Sequence, residues 1–127
     1  MPVRVLLSND DGFDAPGLRA LSEALEPICE VWVVAPTTEQ SAQSHSLTMH
    51  KPLRVHPRGP RRWAVTGTPA DCIYVALHHL LVDAKPDIVV SGINHGSNLG
   101  TDVHYSGTVA AAREACLHGC QAVAISL

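Results

Sequence analysis

Two adjacent carboxylates, Asp10 and Asp11, are the side chains of this sequence with the clearest chemical potential. They follow the apolar and partly β-branched run from Val3 to Leu7, which predicts a buried strand. Neighbouring carboxylates that lose hydration repel each other, and a cation commonly compensates them. A purely structural alternative exists, because Asp also favours turns and helix N-termini. The residues alone leave a metal site and a structural turn equally open.

Segments that resemble strands and helices alternate along the chain, which has 127 residues. The predicted strands are Val3–Leu7, Glu30–Ala35, Asp87–Ser91 and Ala122–Ser126. The predicted helices are Ala15–Glu26, Thr68–Leu81 (with Thr68 as its cap and Asp71 completing a capping box) and Ser106–His118. Short antiparallel strands are predicted at Leu47–Met49, Leu53–Val55 and Trp63–Val65. This order predicts one α/β domain over residues 1–127, with a Rossmann-like, doubly wound, mostly parallel sheet and a small inserted β-hairpin flap.

In a doubly wound sheet, the loops that leave the carboxyl ends of the strands share one edge. The loop of Asp10 and Asp11 should therefore meet the polar segment 37–46 and the Gly- and Asn-rich loop 92–104. These two segments offer hydroxyl and amide oxygens, with candidates at Ser41, Ser44, Asn94 and Asn98. Oxygen ligands suit a hard cation such as Mg²⁺, Mn²⁺ or Ca²⁺ rather than zinc.

The start of the last predicted helix is typical of an anion-binding site. Ser106, Gly107 and Thr108 open a helix whose next turn is small and apolar. Backbone N–H groups and the positive end of the helix dipole would face a ligand there, and Gly107 would allow close approach. An ordinary serine cap is the structural alternative. Together with a metal site on the same edge, this helix start predicts phosphoryl chemistry.

Composition and missing motifs exclude several other classes. A net charge of −3 and a pI near 6.2 favour neither nucleic acid nor membrane surfaces as partners. No P-loop, GxGxxG or GxSxG motif is present, no run is long and apolar enough for a membrane helix, and no signal peptide is apparent. The four cysteines lack CxxC spacing, which predicts reduced thiols in a cytoplasmic protein. Cys116, His118 and Cys120 could form a soft-metal cluster, but packing is favoured because no fourth ligand is nearby.

Several motifs, in this order along nearly the whole chain, resemble the SurE survival protein family. They are Ser8-Asn9-Asp10-Asp11-Gly12, Ala15-Pro16-Gly17, Ser44-His45-Ser46-Leu47-Thr48, Gly67-Thr68-Pro69-Ala70-Asp71-Cys72, Ser91-Gly92-Ile93-Asn94, Gly96-Ser97-Asn98-Leu99-Gly100 and Tyr105-Ser106-Gly107-Thr108-Val109. The segment around Ser41 departs from the Arg-Ser-Gly wording common in the family. Members are considerably longer than this chain, so the resemblance implies a truncated form that corresponds to the N-terminal half.

The resemblance implies a cytoplasmic, metal-dependent phosphatase that hydrolyses nucleoside 5′- and 3′-monophosphates. By the family pattern one Mg²⁺ or Mn²⁺ ion would be bound by Asp10, Asp11, Ser41 and Asn94. The catalytic group would comprise Asp10, Asp11 and Asn9, and the phosphate would be held by Asn98, Ser106, Gly107 and Thr108. A homodimer or homotetramer is implied where the C-terminal half is present. The alternative is a truncated module that binds metal and nucleotide without turnover.

Overall fold

The computed structural model describes residues 2–38, 52–94 and 107–126. Its strands are β1 (Val3–Ser8), β2 (Cys29–Pro36), β3 (Val55–Gly59), β4 (Arg62–Val65), β5 (Ile88–Asn94) and β6 (Gln121–Ser126). Its helices are α1 (Pro16–Leu25), α2 (Pro69–Val75), a π-helical turn that continues α2 (Ala76–Leu80), and α3 (Gly107–Leu117). None of the helices in these described ranges has the length and apolar character that a membrane crossing requires.

The six strands form one sheet in the order β3-β4-β2-β1-β5-β6. Every neighbouring pair is parallel except β3 and β4. The chain runs from β1 through α1 to β2 on one side, whereas β5 lies on the other side of β1. The order of the strands therefore reverses between β1 and β5, and that reversal is where ligands bind in open α/β sheets. The predicted α/β class and the mostly parallel sheet are confirmed.

Both faces of the sheet are covered, because side chains alternate along buried parallel strands. Val5 and Leu7 of β1 pack with Leu18 and Leu21 of α1 in one buried cluster. Leu6 belongs to a second cluster on the other face, built with residues of α2, the π-helical turn and α3. The two helix layers hold the sheet rigid from opposite sides, so the ends of β1 and β5 are fixed in position.

The start of α2 confirms the predicted capping box. The Thr68 hydroxyl accepts a hydrogen bond from the Asp71 N–H at 3.1 Å, and the Asp71 carboxylate accepts one from the Thr68 N–H at 2.8 Å. Pro69 occupies the first helical position, where its missing N–H costs nothing. These reciprocal bonds fix the N-terminus of α2, which lies close to the N-terminus of α3.

The predicted β-hairpin is present and forms an edge of the main sheet. Strand β3 begins at Val55, where the predicted strand Leu53–Val55 ends, and continues to Gly59. Strand β4 pairs in parallel with β2, and Trp63 stacks on Trp32 with ring centroids 5.7 Å apart. An edge strand tolerates Pro57, since one of its sides needs no ladder bonds. The predicted strand Leu47–Met49 lies outside the described residues.

The end of β5 also differs from the prediction, which begins a loop at Gly92. The strand continues to Asn94, and Asn94 pairs with Ser126 of β6. The first turn of α1 packs directly on this extension: a Cβ added to Gly17 would lie 2.1 Å from the carbonyl oxygen of Ile93. Glycine is therefore required at this contact, which brings α1 and the end of β5 together at the carboxyl edge.

Candidate metal and phosphate site

The loop after β1 is held in shape by the side chain of Asn9, which is fully buried. The Asn9 amide nitrogen donates to the Gly12 carbonyl at 2.8 Å, and its amide oxygen accepts from the Gly12 N–H at 3.3 Å. Gly12 has a φ of 111°, which favours glycine, and the next residue, Phe13, donates its N–H to the Pro36 carbonyl at the end of β2. Asn9 thus fixes the loop that presents Asp10 and Asp11.

Asp10 lies at the N-terminus of α3 and is only 3% exposed. Its Oδ1 accepts a hydrogen bond from the Thr108 hydroxyl at 3.0 Å, and the Gly107 N–H adds a backbone hydrogen bond. Burial raises the pKa of Asp10 above its usual value, and the charge of Asp11 raises it further, while the hydrogen bonds from Thr108 and Gly107 act in the opposite direction. Two neighbouring carboxylates and loss of water together disfavour the ionised pair in the absence of a cation.

Gly107 is the residue that lets α3 approach Asp10 so closely. A Cβ at this position would lie 2.6 Å from the Cβ of Asp10 and 3.0 Å from the Cγ of Pro69. Distances this short leave no room for a side chain, because the Cβ of Asp10 and the ring of Pro69 cannot easily give way. The N-termini of α2 and α3 therefore converge beside Asp10.

Asp11 and Asn94 line one cavity of about 740 Å³ at the carboxyl edge, between the ends of β1 and β5. Thr37, the first residue after β2, lines the same cavity. The first turn of α1 contributes Pro16 and Gly17. The cavity therefore opens where the strand order reverses, and it has room for a nucleotide-sized ligand.

The donor set fits a hard divalent cation. It comprises the carboxylates of Asp10 and Asp11, with an amide from Asn94 on the adjacent strand. All are oxygen ligands, and a cation would relieve the unfavourable ionisation of Asp10. The hydroxyls of Ser8 and Ser91, paired across β1 and β5 just below the site, are buried and have no hydrogen-bond partner within the described ranges. Buried hydroxyls of this kind need a partner beyond these residues, such as a water molecule or an ion.

The described part of the chain brings six of the predicted site residues to one sheet edge: Asn9, Asp10, Asp11, Asn94, Gly107 and Thr108. Ser41, Asn98 and Ser106 lie outside the described residues, so their roles stay predictions. Phosphate binding by Gly107 and Thr108 also stays a prediction, and what the structure shows is that both bond to Asp10. Thr108 is fully buried. Sequence reasoning missed this contact, because the two residues are 98 positions apart.

Sequence reasoning also missed Thr37, although it had a signal. Thr37 is the first residue after the apolar strand β2, which places it at the same sheet edge as Asp10 and Asp11. The prediction instead chose hydroxyls further along the polar segment. Residues that directly follow parallel strands lie at the same sheet edge, so the position of Thr37 after β2 is the signal that it lines the cavity.

Fold and site together define a class: doubly wound α/β proteins with an oxygen-ligand site at the reversal of strand order. Comparisons with known proteins define the family. The model of the family "Survival protein SurE" matches residues 5–127. The 5'-nucleotidase SurE of Anaeromyxobacter sp. (strain Fw109-5) is 62% identical over 125 residues, which are 98% of this chain and 49% of that protein. The 5'-nucleotidase SurE of Myxococcus xanthus is 58% identical, over 99% of this chain and 48% of that protein.

A solved structure agrees with these sequence matches. The crystal structure of the SurE protein from Aquifex aeolicus superposes with a TM-score of 0.93 at 45% identity, covering 97% of this chain and 50% of that one. The chain belongs to the SurE survival protein family. It spans about half the length of the relatives that it matches.

Proposed function

We propose that this protein is a divalent-metal-dependent phosphomonoesterase that hydrolyses nucleoside 5′-monophosphates, and 3′-monophosphates, to nucleoside and phosphate. The observation that carries the proposal is the Asp10–Asp11 pair at the end of β1, next to Asn94 on β5 and beside the large cavity. The relatives named 5'-nucleotidase SurE support the substrate class.

The proposed cation is Mg²⁺ or Mn²⁺, held by Asp10, Asp11 and Asn94 with Ser41. Such an ion, when bound, polarises a phosphoryl oxygen and lowers the pKa of nearby water. The chain's own contribution is the rigid presentation of the ligands. Asn9 fixes the loop through Gly12, and Thr108 holds Asp10 by its hydroxyl. Asn9 and Thr108 are therefore positioning residues in this proposal.

Asp11 is the better candidate for accepting a proton from the attacking water. Its side chain lines the cavity, whereas that of Asp10 is buried and accepts a hydrogen bond from Thr108. The N-terminus of α3 begins at Gly107, beside Asp10, and its partial positive charge would stabilise the phosphoryl oxygens there, with Ser106 as a further proposed contact. We place the phosphate there, with Asn98 as a further ligand.

Phosphate release from AMP and GMP tests this function. With Mn²⁺ we expect release of inorganic phosphate, and with excess EDTA we expect the loss of that release, because without a cation the two carboxylates repel the negative phosphoryl group. Equilibrium dialysis with the same nucleotides is the parallel measurement. Metal-dependent binding without release would instead support a module that has no turnover. A protein that shows no nucleotide binding and no phosphate release would contradict both the phosphatase and the binding module.

We further propose a cytoplasmic location and, where the rest of the family's length is present, a homodimer or homotetramer. The location is supported by Cys29, Cys72, Cys116 and Cys120, which are all free thiols, as in proteins of reducing compartments.

A further inference from the structure

A second cluster of ionisable side chains lies away from the candidate active site. His78 is in the π-helical turn, and His118 directly follows α3. The Nε2 atom of His78 lies 3.2 Å from the Nδ1 atom of His118, with the two rings nearly perpendicular at 81°. The Nε2 of His118 donates to the carboxylate of Glu114 at 2.6 Å. Tyr74 covers the His78 ring with centroids 4.4 Å apart.

The cluster lies at the opposite edge of the sheet from Asp10. Helix α3 begins beside Asp10 and ends at Leu117, so its 11 residues separate the two places by about 16 Å at 1.5 Å per residue. Both histidines are at helix C-termini, where the helix dipoles carry partial negative charge. Two such ends and the Glu114 carboxylate make the local field favourable for a cation.

We propose that His78 and His118 bind one divalent transition-metal ion, with Zn²⁺ as the representative. Ligands at 2.0–2.1 Å in a tetrahedral site have their nitrogens about 3.3 Å apart. The 3.2 Å separation between Nε2 of His78 and Nδ1 of His118 matches one edge of that tetrahedron. Imidazole nitrogens favour zinc, nickel and copper, whereas the oxygen set around Asp10 favours magnesium and manganese. The two sites therefore select different ions.

Glu114 is the residue that prepares His118 for this role. Its carboxylate is 5% exposed and accepts a hydrogen bond from the Nε2–H of His118. In that tautomer the Nδ1 of His118 carries a lone pair on the side of His78. Metal-binding histidines nearly always donate their second ring N–H to a carboxylate or carbonyl in this way. His78 shifts its proton from Nε2 to Nδ1 when the ion binds, so two neutral imidazoles lose no proton overall.

A cavity of about 150 Å³ beside the pair leaves room for water to complete the coordination. Its lining includes both histidines, the buried Cys120 and the exposed Lys85. No third His, Cys, Asp or Glu joins the pair as a direct ligand within the described ranges. The Lys85 charge near Cys120 partly offsets the favourable field of the helix ends and Glu114. Solvent, rather than a third side chain of these ranges, would complete the two-imidazole site.

Calorimetric titration with Zn²⁺, in buffer with saturating Mg²⁺ to occupy the oxygen site, tests the proposal. The measurements use a Cys116→Ser background, because Cys116 is an exposed thiol two residues from His118. We expect one Zn²⁺ site per chain to be lost in His78→Gln and in His118→Gln. His79→Gln is the matched control, since His79 is an exposed histidine of the same turn, and it should retain the site.

Glu114→Gln separates orientation from ligation. We expect it to keep the stoichiometry and weaken Zn²⁺ binding about 10–100-fold, the usual effect of removing the hydrogen-bond partner of a metal-binding histidine. Imidazole ¹⁵N spectra should show Zn²⁺-dependent shifts at Nε2 of His78 and Nδ1 of His118. Absence of Zn²⁺ binding in the background protein, or equal stoichiometry in it and in both histidine variants, would overturn the proposal, and neither result bears on phosphatase activity.

Discussion

Asp10→Asn is expected to abolish metal-dependent phosphate release while leaving the fold intact. The variant removes one of the two carboxylates that are proposed to hold the cation. Replacing even an outer hydrogen-bond partner of a metal ligand costs about 10–100-fold, so the loss of a direct ligand should exceed about 100-fold in turnover. The measurements are phosphate release from AMP with Mn²⁺ and calorimetric titration of Mn²⁺.

Asp10→Asn should lower turnover, but it should keep or raise the stability of the metal-free protein. Burial raises the pKa of Asp10 in the folded protein above its value in the unfolded chain. The protonated side chain therefore stabilises the fold fully below the unfolded-state pKa, and this stabilisation is lost as the pH rises through the folded-state pKa. At neutral pH the ionised side chain costs stability, which asparagine does not. Thermal unfolding in EDTA should therefore show a Tm that is equal to or above that of the parent protein.

Asp83→Asn is the control for this pair of measurements. Asp83 is exposed and lies in the turn after the π-helical segment, so its loss of charge should change neither turnover nor Mn²⁺ binding. Parent-like turnover of Asp10→Asn would contradict the metal assignment. A large fall in its Tm would show instead that the carboxylate is chiefly structural.

Gly107→Ala is expected to have the second-largest effect, because the added methyl group would meet Asp10 at 2.6 Å and Pro69 at 3.0 Å. Either α3 moves outward or Asp10 is displaced, and both break the hydrogen bond from Thr108. A displacement of about 1 Å at a reacting centre can cost about 100-fold in rate. Overpacking should lower the free energy of unfolding by about 1–3 kcal/mol. Turnover and urea unfolding measure the two effects.

Gly119→Ala is a matched control for the loss of stability. Gly119 has a φ of 83° but open space around its Cα, so alanine strains the backbone and meets no neighbour within 4 Å. The strain should cost about 1–2 kcal/mol, similar to Gly107→Ala, at a place far from Asp10. Turnover per folded molecule should stay unchanged. Equal losses of turnover in the two variants would mean that the Gly107 effect is only one of stability.

Local pattern was sufficient to predict most of the elements. The β-branched run before Asp10 and the Thr68 cap each specify a structure through neighbouring residues alone. Pairing between distant segments was not predictable in the same way. The sequence predicts the hairpin as an inserted flap and does not reveal the parallel pairing of β4 with β2, because that pairing depends on packing such as that of Trp32 on Trp63.

The residues of the candidate site likewise fall into those that the sequence pattern predicts and those whose contacts depend on packing. The positions of Asp10, Asp11 and Asn94 were predictable because the carboxyl ends of parallel strands share one edge of the sheet, whatever side chains the strands carry elsewhere. The contact of Thr108 with Asp10 was not, since it depends on how closely α3 docks beside α2. The pairing of His78 with His118, 40 residues apart, likewise needs the packing of α2 against α3.

Anomalous diffraction from a crystal of the parent protein soaked in Mn²⁺ would locate the proposed cation. We expect one strong manganese peak with oxygen atoms of Asp10, Asp11 and Asn94 at metal–ligand distances of about 2.0–2.3 Å. A crystal that binds Mn²⁺ only elsewhere, or leaves both aspartates without a neighbouring peak, would contradict the proposed metal site.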